Sequence, residues 1–375
     1  MSALFVQVKS SHEATRIARR AGGATSRHRG PPRARGPRPE GTGFRALRGF
    51  RWRLVAIALL VAACQPNATS PGSSVSAAPG IGSEATFILA NPGGLLALDN
   101  TARTLGRIVD LPPQSAPSTP SLHPNGKAIV FALTPQPDPK RGFGSDLYFV
   151  NVDGTGLRAV VQHESDNVFY ASPRFDASGN VIYFHRRAAI ITNGSFTGND
   201  DAIERMDLRT GERKRIAKDG ADPTISPDGK TLIYVHLKDG QVDALWRADI
   251  DGANARPLLQ SRDTFWYLQA PRFSPNDCLI VFSAAGHTVV RGGGAGGKLA
   301  HLSVPSDLFL IPCDGTGLKS IGQTGDDVVP AWAPDGTKIA YVGQGGFFVL
   351  DVKTGVARTV AQGQDFFFGD LLWLK

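Results

Sequence analysis

Cysteine is scarce in this 375-residue chain. There are three, Cys64, Cys278 and Cys313, and no C-x-x-C pair. That excludes a disulfide-dense small scaffold and a dithiol redox motif. Long apolar runs are lacking too: Leu54–Ala63, LVAIALLVAA, is too short to cross a bilayer as a mature helix. Neither G-x-S-x-G nor H-E-x-x-H occurs, which removes the commonest serine hydrolase and zincin signatures. Basic surplus is missing where a nucleic-acid surface would need it. The chain carries a formal net charge of +8, but residues 1–53 hold 13 of the 41 Lys+Arg and only 2 of the 33 Asp+Glu. The remaining 28 basic and 31 acidic residues leave the rest slightly acidic, so no nucleic-acid partner is expected. Helical periodicity is absent between the apolar segments that follow residue 84.

What is present is a repeated hairpin. Pro223–Tyr234, PTISPDGKTLIY, is a short apolar segment, a Pro-Asp-Gly turn and a second apolar strand. Variants begin at Pro120, Pro173, Pro271 and Pro330, so that successive starts lie 53, 50, 48 and 59 residues apart. A second strand–turn–strand follows each, as in DLYFVNVDGTGLRAVV at 146–161 and FFVLDVKTGVARTVA at 347–361. Two hairpins per period make one four-stranded antiparallel sheet, and a row of such sheets is a β-propeller. Thr86–Asp110 supplies three strands without a preceding turn motif, and Gly369–Leu374 supplies one strand that stops where a turn should come. Their pairing would close a sixth blade. The expected fold is all-β: a six-bladed β-propeller of four-stranded antiparallel blades, closed by pairing the C-terminal strand with the N-terminal strands.

The hairpin resembles the PD40, or WD40-like, β-propeller repeat of TolB-like proteins. The resemblance rests on P-x-[apolar]-S-P-D-G before an apolar strand, complete at Pro223 and with Ala333 for the Ser at Pro330. Asn125, Ser178 and Asn276 stand for the Asp, and Asp277 for the Gly. It implies a scaffold role in envelope complexes, with a protein or peptide as partner. It also brings in six-bladed relatives that bind or process carbohydrate, and metal-dependent lactonases or lyases that gather ligands at the channel. No cofactor is expected from the sequence, and no metal-ligand spacing joins the histidines.

The apolar run at 54–63, its basic flank and Val61-Ala62-Ala63-Cys64 resemble a bacterial lipobox. This implies residues 1–63 as basic leader and lipoprotein signal peptide, and 64–83 as lipidated Cys64 and flexible linker. The propeller then runs over residues 84–375. A short buried helix is the plainer alternative for the apolar run. The stretch before Arg45 reads either as a cytoplasmic extension or as a translation start placed too far upstream. Export, anchoring at Cys64 and exposure to the periplasm or cell exterior are the expected location. At roughly 5–6 Å × √n, the linker spans about 25 Å.

Two further readings concern the folded part. Cys278 opens one strand and Cys313 ends the next, so antiparallel pairing would bring them within disulfide range; two free thiols are the alternative. Gly292–Lys298, GGGAGGK, lacks the Ser or Thr and the helix of a phosphate loop and reads as a flexible loop. The connections between second and third strands are long after Phe131 (132–145), Phe184 (185–200) and Phe282 (283–306). All would lie around the channel mouth, where loops carry recognition. Arg141, His185, Arg186, Arg187, Arg291 and Lys298 on those loops, with Trp266, Tyr267 and Phe367 at inner-strand ends, predict an aromatic and locally basic face. Such a face suits an anionic or glycan-bearing partner, although core packing also accounts for most of the aromatics. A monomeric propeller is expected.

Overall fold

The Pro-Asp-Gly turns do the work that their residues allow. Asp228 Oδ1 accepts the Lys230 N–H at 3.0 Å and the Ser226 hydroxyl at 2.5 Å. Gly229 takes φ 71°, a value that a side chain would strain. In the computed structural model, residues 80–260, 265–286 and 306–375 are described. Apart from one helical turn, α1 (Ile81–Glu84), and a 3-10 turn at Gln364–Phe366, the elements among them are strands.

Strands β1 (Phe87–Asn91), β2 (Gly94–Leu98) and β3 (Thr104–Arg107) pair in order. Next come β4 (Ala116–Leu122), β5 (Ala128–Thr134), β6 (Gly144–Asn151) and β7 (Arg158–Val161). They are followed by β8 (Val168–Phe175), β9 (Val181–Thr192), β10 (Ser195–Asp207) and β11 (Arg213–Lys218). These eight form one sheet, because β6 and β8 run parallel where Gly144 meets Val168 and Ser145 meets Phe169. Three separate four-stranded sheets complete the row. One is β12 (Gly220–Ile225), β13 (Thr231–Lys238), β14 (Gln241–Asp249) and β15 (Arg256–Gln260). Another is β16 (Phe265–Phe273), β17 (Leu279–Gly286), β18 (Ser306–Pro312) and β19 (Lys319–Asp326). The last is β20 (Ala331–Trp332), β21 (Lys338–Gly343), β22 (Gly346–Asp351) and β23 (Ala357–Gln362). The fold is an all-β propeller of small antiparallel sheets.

The C-terminal strand β24 (Asp370–Trp373) lies antiparallel to β1, with Phe87 opposite Trp373 and Ala90 opposite Asp370. It completes the first sheet as β24-β1-β2-β3 and covers an edge that would otherwise invite pairing with another chain. Trp373 is half-buried rather than enclosed, packing on Phe87 with ring centroids 4.7 Å apart.

The core lies between sheets. Each apolar cluster joins neighbours along the chain: Phe131 and Ile129 with Ile88 and Leu95, Phe282 and Ile280 with Ile233 and Val235, Tyr341 with Leu308. Phe347 and Val342 meet Phe87 and Leu89, joining the last full sheet to the first. A fully buried Leu or Phe in these clusters contributes about 1.5–3 kcal/mol.

The connection after Phe184 departs from expectation. Strand β9 runs on to Thr192 and β10 starts at Ser195, so 185–200 is mostly a projecting two-stranded ribbon with an Asn193-Gly194 turn. The β-branched Ile190, Ile191 and Thr192 favour extended chain, and Asn-Gly is the strongest two-residue hairpin signal. His185, Arg186 and Arg187 are therefore strand residues. The long connection at 132–145 is a loop as expected, spanning Pro135–Phe143 with an Asp138–Gly142 bridge. Residues 287–305, and with them GGGAGGK, Arg291 and Lys298, lie outside the described residues. So do the leader, Cys64 and the linker up to residue 79.

Candidate functional site

The site is built on the innermost strand of each four-strand run: β4, β8, β12, β16, β20 and β24. Consecutive members touch, β4 with β8, β8 with β12, β12 with β16, and β24 with β4 and β20. Four of them break their ladder at the same place. Register shifts fall between Ser118 and Ser121, Ala171 and Arg174, Ala221 and Thr224, and Gln269 and Arg272. Each shift spans the repeat proline, which has no N–H for the ladder, and the residue before it. Those preceding residues, Thr119, Ser172, Asp222 and Ala270, stand at φ 50°, 50°, 46° and 50°. A left-handed non-glycine costs on the order of 1–3 kcal/mol, so something must hold these four.

Neighbouring strands hold them. The Thr119 N–H donates to Asp370 Oδ2 at 2.6 Å. The Ser172 N–H donates to Thr119 Oγ1 at 3.0 Å, and the Ser172 hydroxyl to Asp222 Oδ1 at 2.5 Å. The Ala270 N–H reaches Asp222 Oδ2 at 3.3 Å. A belt of hydrogen bonds thus runs through β24, β4, β8, β12 and β16. The belt holds Asp222 ionised. Burial opposes its charge, but the Ser172 hydroxyl and nearby cations outweigh burial and lower its pKa.

Toward the strand starts, Tyr267 donates to Gln269 Oε1 at 2.6 Å, and the Gln269 amide donates to Asp327. Burial, with the neighbouring Asp326 carboxylate, pushes the Asp327 carboxyl up to about 7 against the Gln269 bond. The Tyr267 hydroxyl is likewise raised by burial. Trp266 stands beside Tyr267, ring centroids 5.9 Å apart, and is 49% exposed. Phe367 and Phe368 are exposed, while Phe265, Phe366 and Tyr170 enter the core. The aromatic triplets are therefore divided: one part packs and the other faces solvent.

The cations of the expected basic face have carboxylate partners where they are described. His185 Nε2 lies 2.7 Å from Asp201 Oδ1, and Arg187 Nε 2.6 Å from the same oxygen. Arg186 pairs with Glu164 at 2.7 Å and Asp200 at 3.1 Å. Arg141 lies 3.6 Å from Asp138 and 3.5 Å from the buried Asp146. These cations are balanced by carboxylates because a half-buried guanidinium without one is costly. The sequence reading also missed Asp222, Asp327 and Asp370. The signal for Asp222 was present: it is the residue before a repeat proline. Cys278 and Cys313 form a disulfide, Cα atoms 5.4 Å apart, at the ends of adjacent strands β17 and β18. His123 stacks edge-on against Phe175, and His236 stacks on Trp246. Among the described residues no three His, Cys, Asp or Glu side chains converge as metal ligands.

No family model matches the chain. The TolB homologue of Protochlamydia amoebophila (strain UWE25) is 24% identical over 273 residues, covering 63% of this chain and 49% of that protein. The chain thus spans about half the length of the curated relative it matches. Among solved structures, hydrazine synthase of Kuenenia stuttgartiensis superposes with a TM-score of 0.54 at 14% identity, over 76% of this chain and 46% of the other. TolB of Acinetobacter baumannii gives a TM-score of 0.46 at 19% identity, over 63% and 53%. The chain is similar to TolB-like proteins, and it shares the propeller fold.

Proposed function

We propose, from this likeness to TolB-like proteins, that the chain is a six-bladed, lipid-anchored envelope propeller that binds a protein or peptide at its channel mouth without catalysing a reaction. Six blades result when the eight-stranded sheet is read as β4–β7 and β8–β11, joined only where β6 meets β8. The apolar clusters favour this count, since one of them packs β8–β10 against β5–β7 just as the others pack separate sheets.

One observation carries the binding role. Large apolar side chains are exposed mainly on one side of the ring. Ile190, Ile191 and Phe196 crown the β9–β10 ribbon, and Trp266, Phe367 and Phe368 stand where chains enter inner strands. Leu318 and Val356 are the counterparts on the turn side. Aromatic anchors with a polar surround are what protein interfaces use. The chain enters the described part on the turn side, where the Gly80 N–H meets Asp153 O and Lys375 Nζ meets Ser83 O at 3.0 Å. With a lipid at Cys64 and a tether over 64–83, the mouth of the propeller at 84–375 would face away from the membrane, into the periplasm or cell exterior.

Photo-crosslinking residues placed at Trp266, Phe196 and Phe367 test this in intact envelopes, with Val356 and Leu318 as controls on the turn side. A discrete adduct from the mouth positions and none from the controls is expected. Adducts from the controls alone would place the partner elsewhere.

A further inference from the structure

Arg174 and Arg272 occupy the same position in their repeats, directly after the proline of Pro173-Arg174-Phe175 and Pro271-Arg272-Phe273. The other three repeats carry Ser121, Thr224 and Ala331 there. The position faces the neighbouring inner strand: Thr224 Oγ1, for instance, accepts the Phe273 N–H of β16 at 3.3 Å. Two guanidiniums are therefore set on inner strands β8 and β16, with β12 between them.

Neither has a carboxylate partner among the described residues. Arg174 is 8% exposed, and its Nη1 donates only to main-chain carbonyls, Pro173 O at 2.6 Å and Thr119 O at 3.4 Å. Its Nε is buried with no hydrogen-bond partner. Arg272 Nη1 donates to Pro271 O at 2.8 Å. Among the described residues neither guanidinium forms an ion pair, whereas Arg186, Arg187, Arg213 and Arg215 all do. The carboxylates that favour both cations are Asp222 and Asp370, whose oxygens already accept the Ser172 hydroxyl and the Ala270 and Thr119 N–H groups. Arg174 is buried and Arg272 half-buried; an unpaired guanidinium in such a setting is costly, and two of them repel each other. Burial first, and for Arg174 the Arg272 charge next, work against both cations.

We propose that Arg174 and Arg272 together bind a small oxyanion, a carboxylate or phosphate group, inside the ring of inner strands. The guanidinium fork matches such groups with paired N–H donors, and two forks set on either side of β12 can share one anion. The anion is either free in solution or the terminal carboxylate of a peptide that enters the ring. This inference stands whether or not the mouth binds an envelope partner.

Thermal unfolding of the full chain in a weakly binding buffer tests it, at constant ionic strength held with sodium chloride. Phosphate and succinate are titrated as free anions, and a short peptide is compared with a free and an amidated C-terminus. The expected result is a midpoint that rises with the logarithm of one anion, by ~5 °C at about 100 times Kd. Response to phosphate or succinate identifies a free anion. Response to the free-acid peptide alone identifies a terminal carboxylate. Arg174→Met and Arg272→Met should each remove the response and raise the midpoint in the same buffer without added oxyanion, because each deletes a cation that lacks a counter-charge. A wild-type midpoint indifferent to all probes overturns the site, even if the variants fail to fold. So does an unchanged response in both variants, which would mean binding elsewhere.

Discussion

Asp370 on the last strand accepts the main-chain N–H of Thr119, 251 residues earlier, at 2.6 Å. Thr119 is the left-handed residue before the first repeat proline, and Asp370 follows Gly369 at φ 145°. A Cβ at Gly369 would come within 2.7 Å of Leu89 Cδ1 and 2.9 Å of Ala90 O, so glycine lets β24 approach β1 closely. The end of the chain is thus tied to both the strand it extends and the next inner strand.

Asp222 should be the most costly belt residue to lose. Asp222→Ala leaves the Ser172 hydroxyl and the Ala270 N–H without their acceptor in a buried setting. Chemical denaturation should show a loss of about 2–4 kcal/mol, with Asp222→Asn falling between. Because its pKa is lowered on folding, the ionised Asp222 stabilises above the unfolded value of 3.8, and that stabilisation fades as pH falls below it. A loss under 0.5 kcal/mol in both variants would remove the belt from the account.

Asp327 carries the opposite sign. Its carboxyl holds a proton up to about 7 in the folded chain, while the unfolded chain releases it near 3.8. Between those values the native state binds the extra proton, so stability declines as pH rises from about 4 to about 7 and then levels. Asp327→Asn mimics the protonated form and keeps an acceptor for the Gln269 amide. The variant should match wild type near pH 4 and exceed it at pH 8, with each pKa unit worth about 1.4 kcal/mol. Parallel stability curves for the two proteins across that range would contradict the assignment.

Much of this architecture was legible in the chain. Pro-Asp-Gly-like turns recurring every 48–59 residues give hairpins, and the lone strand in GDLLWL gives the closure. The candidate site was less legible. Which carboxylate faces which guanidinium depends on register, and a loop reading at 185–200 hid Asp200 and Asp201 as partners of Arg186 and Arg187. Asn193-Gly194 was there to be read as a hairpin. The unpaired state of Arg174 and Arg272 could not be read, since composition says nothing of where a counter-charge lies.

The Cys278–Cys313 bond closes a loop with a sequence separation of 35. Reduction should lower stability by about 3–4 kcal/mol on the chain-entropy account. Cys278 is exposed and Cys313 buried, so a mild reductant reaches the pair from the Cys278 side. Peptide mapping of alkylated, non-reduced protein checks the bond itself, and free thiols at both positions would reject it.

Cys64→Ser should abolish lipidation and release the protein from membranes. Fractionation with mass analysis of the mature N-terminus reads both. Membrane association unchanged in the variant, with no lipid on wild type, would contradict the anchor.

Ring closure is the claim on which mouth, belt and anion site all depend. Removing residues 369–375 deletes β24, its four pairings with β1, the Asp370–Thr119 bond and the Trp373–Phe87 contact. The direct measurement is thermal unfolding of the chain with and without those seven residues. Closure predicts loss of a cooperative transition or aggregation, because the lost contacts, at several kcal/mol, rival a total stability of about 5–15 kcal/mol. Equal midpoints and equal cooperativity for the two proteins would contradict it.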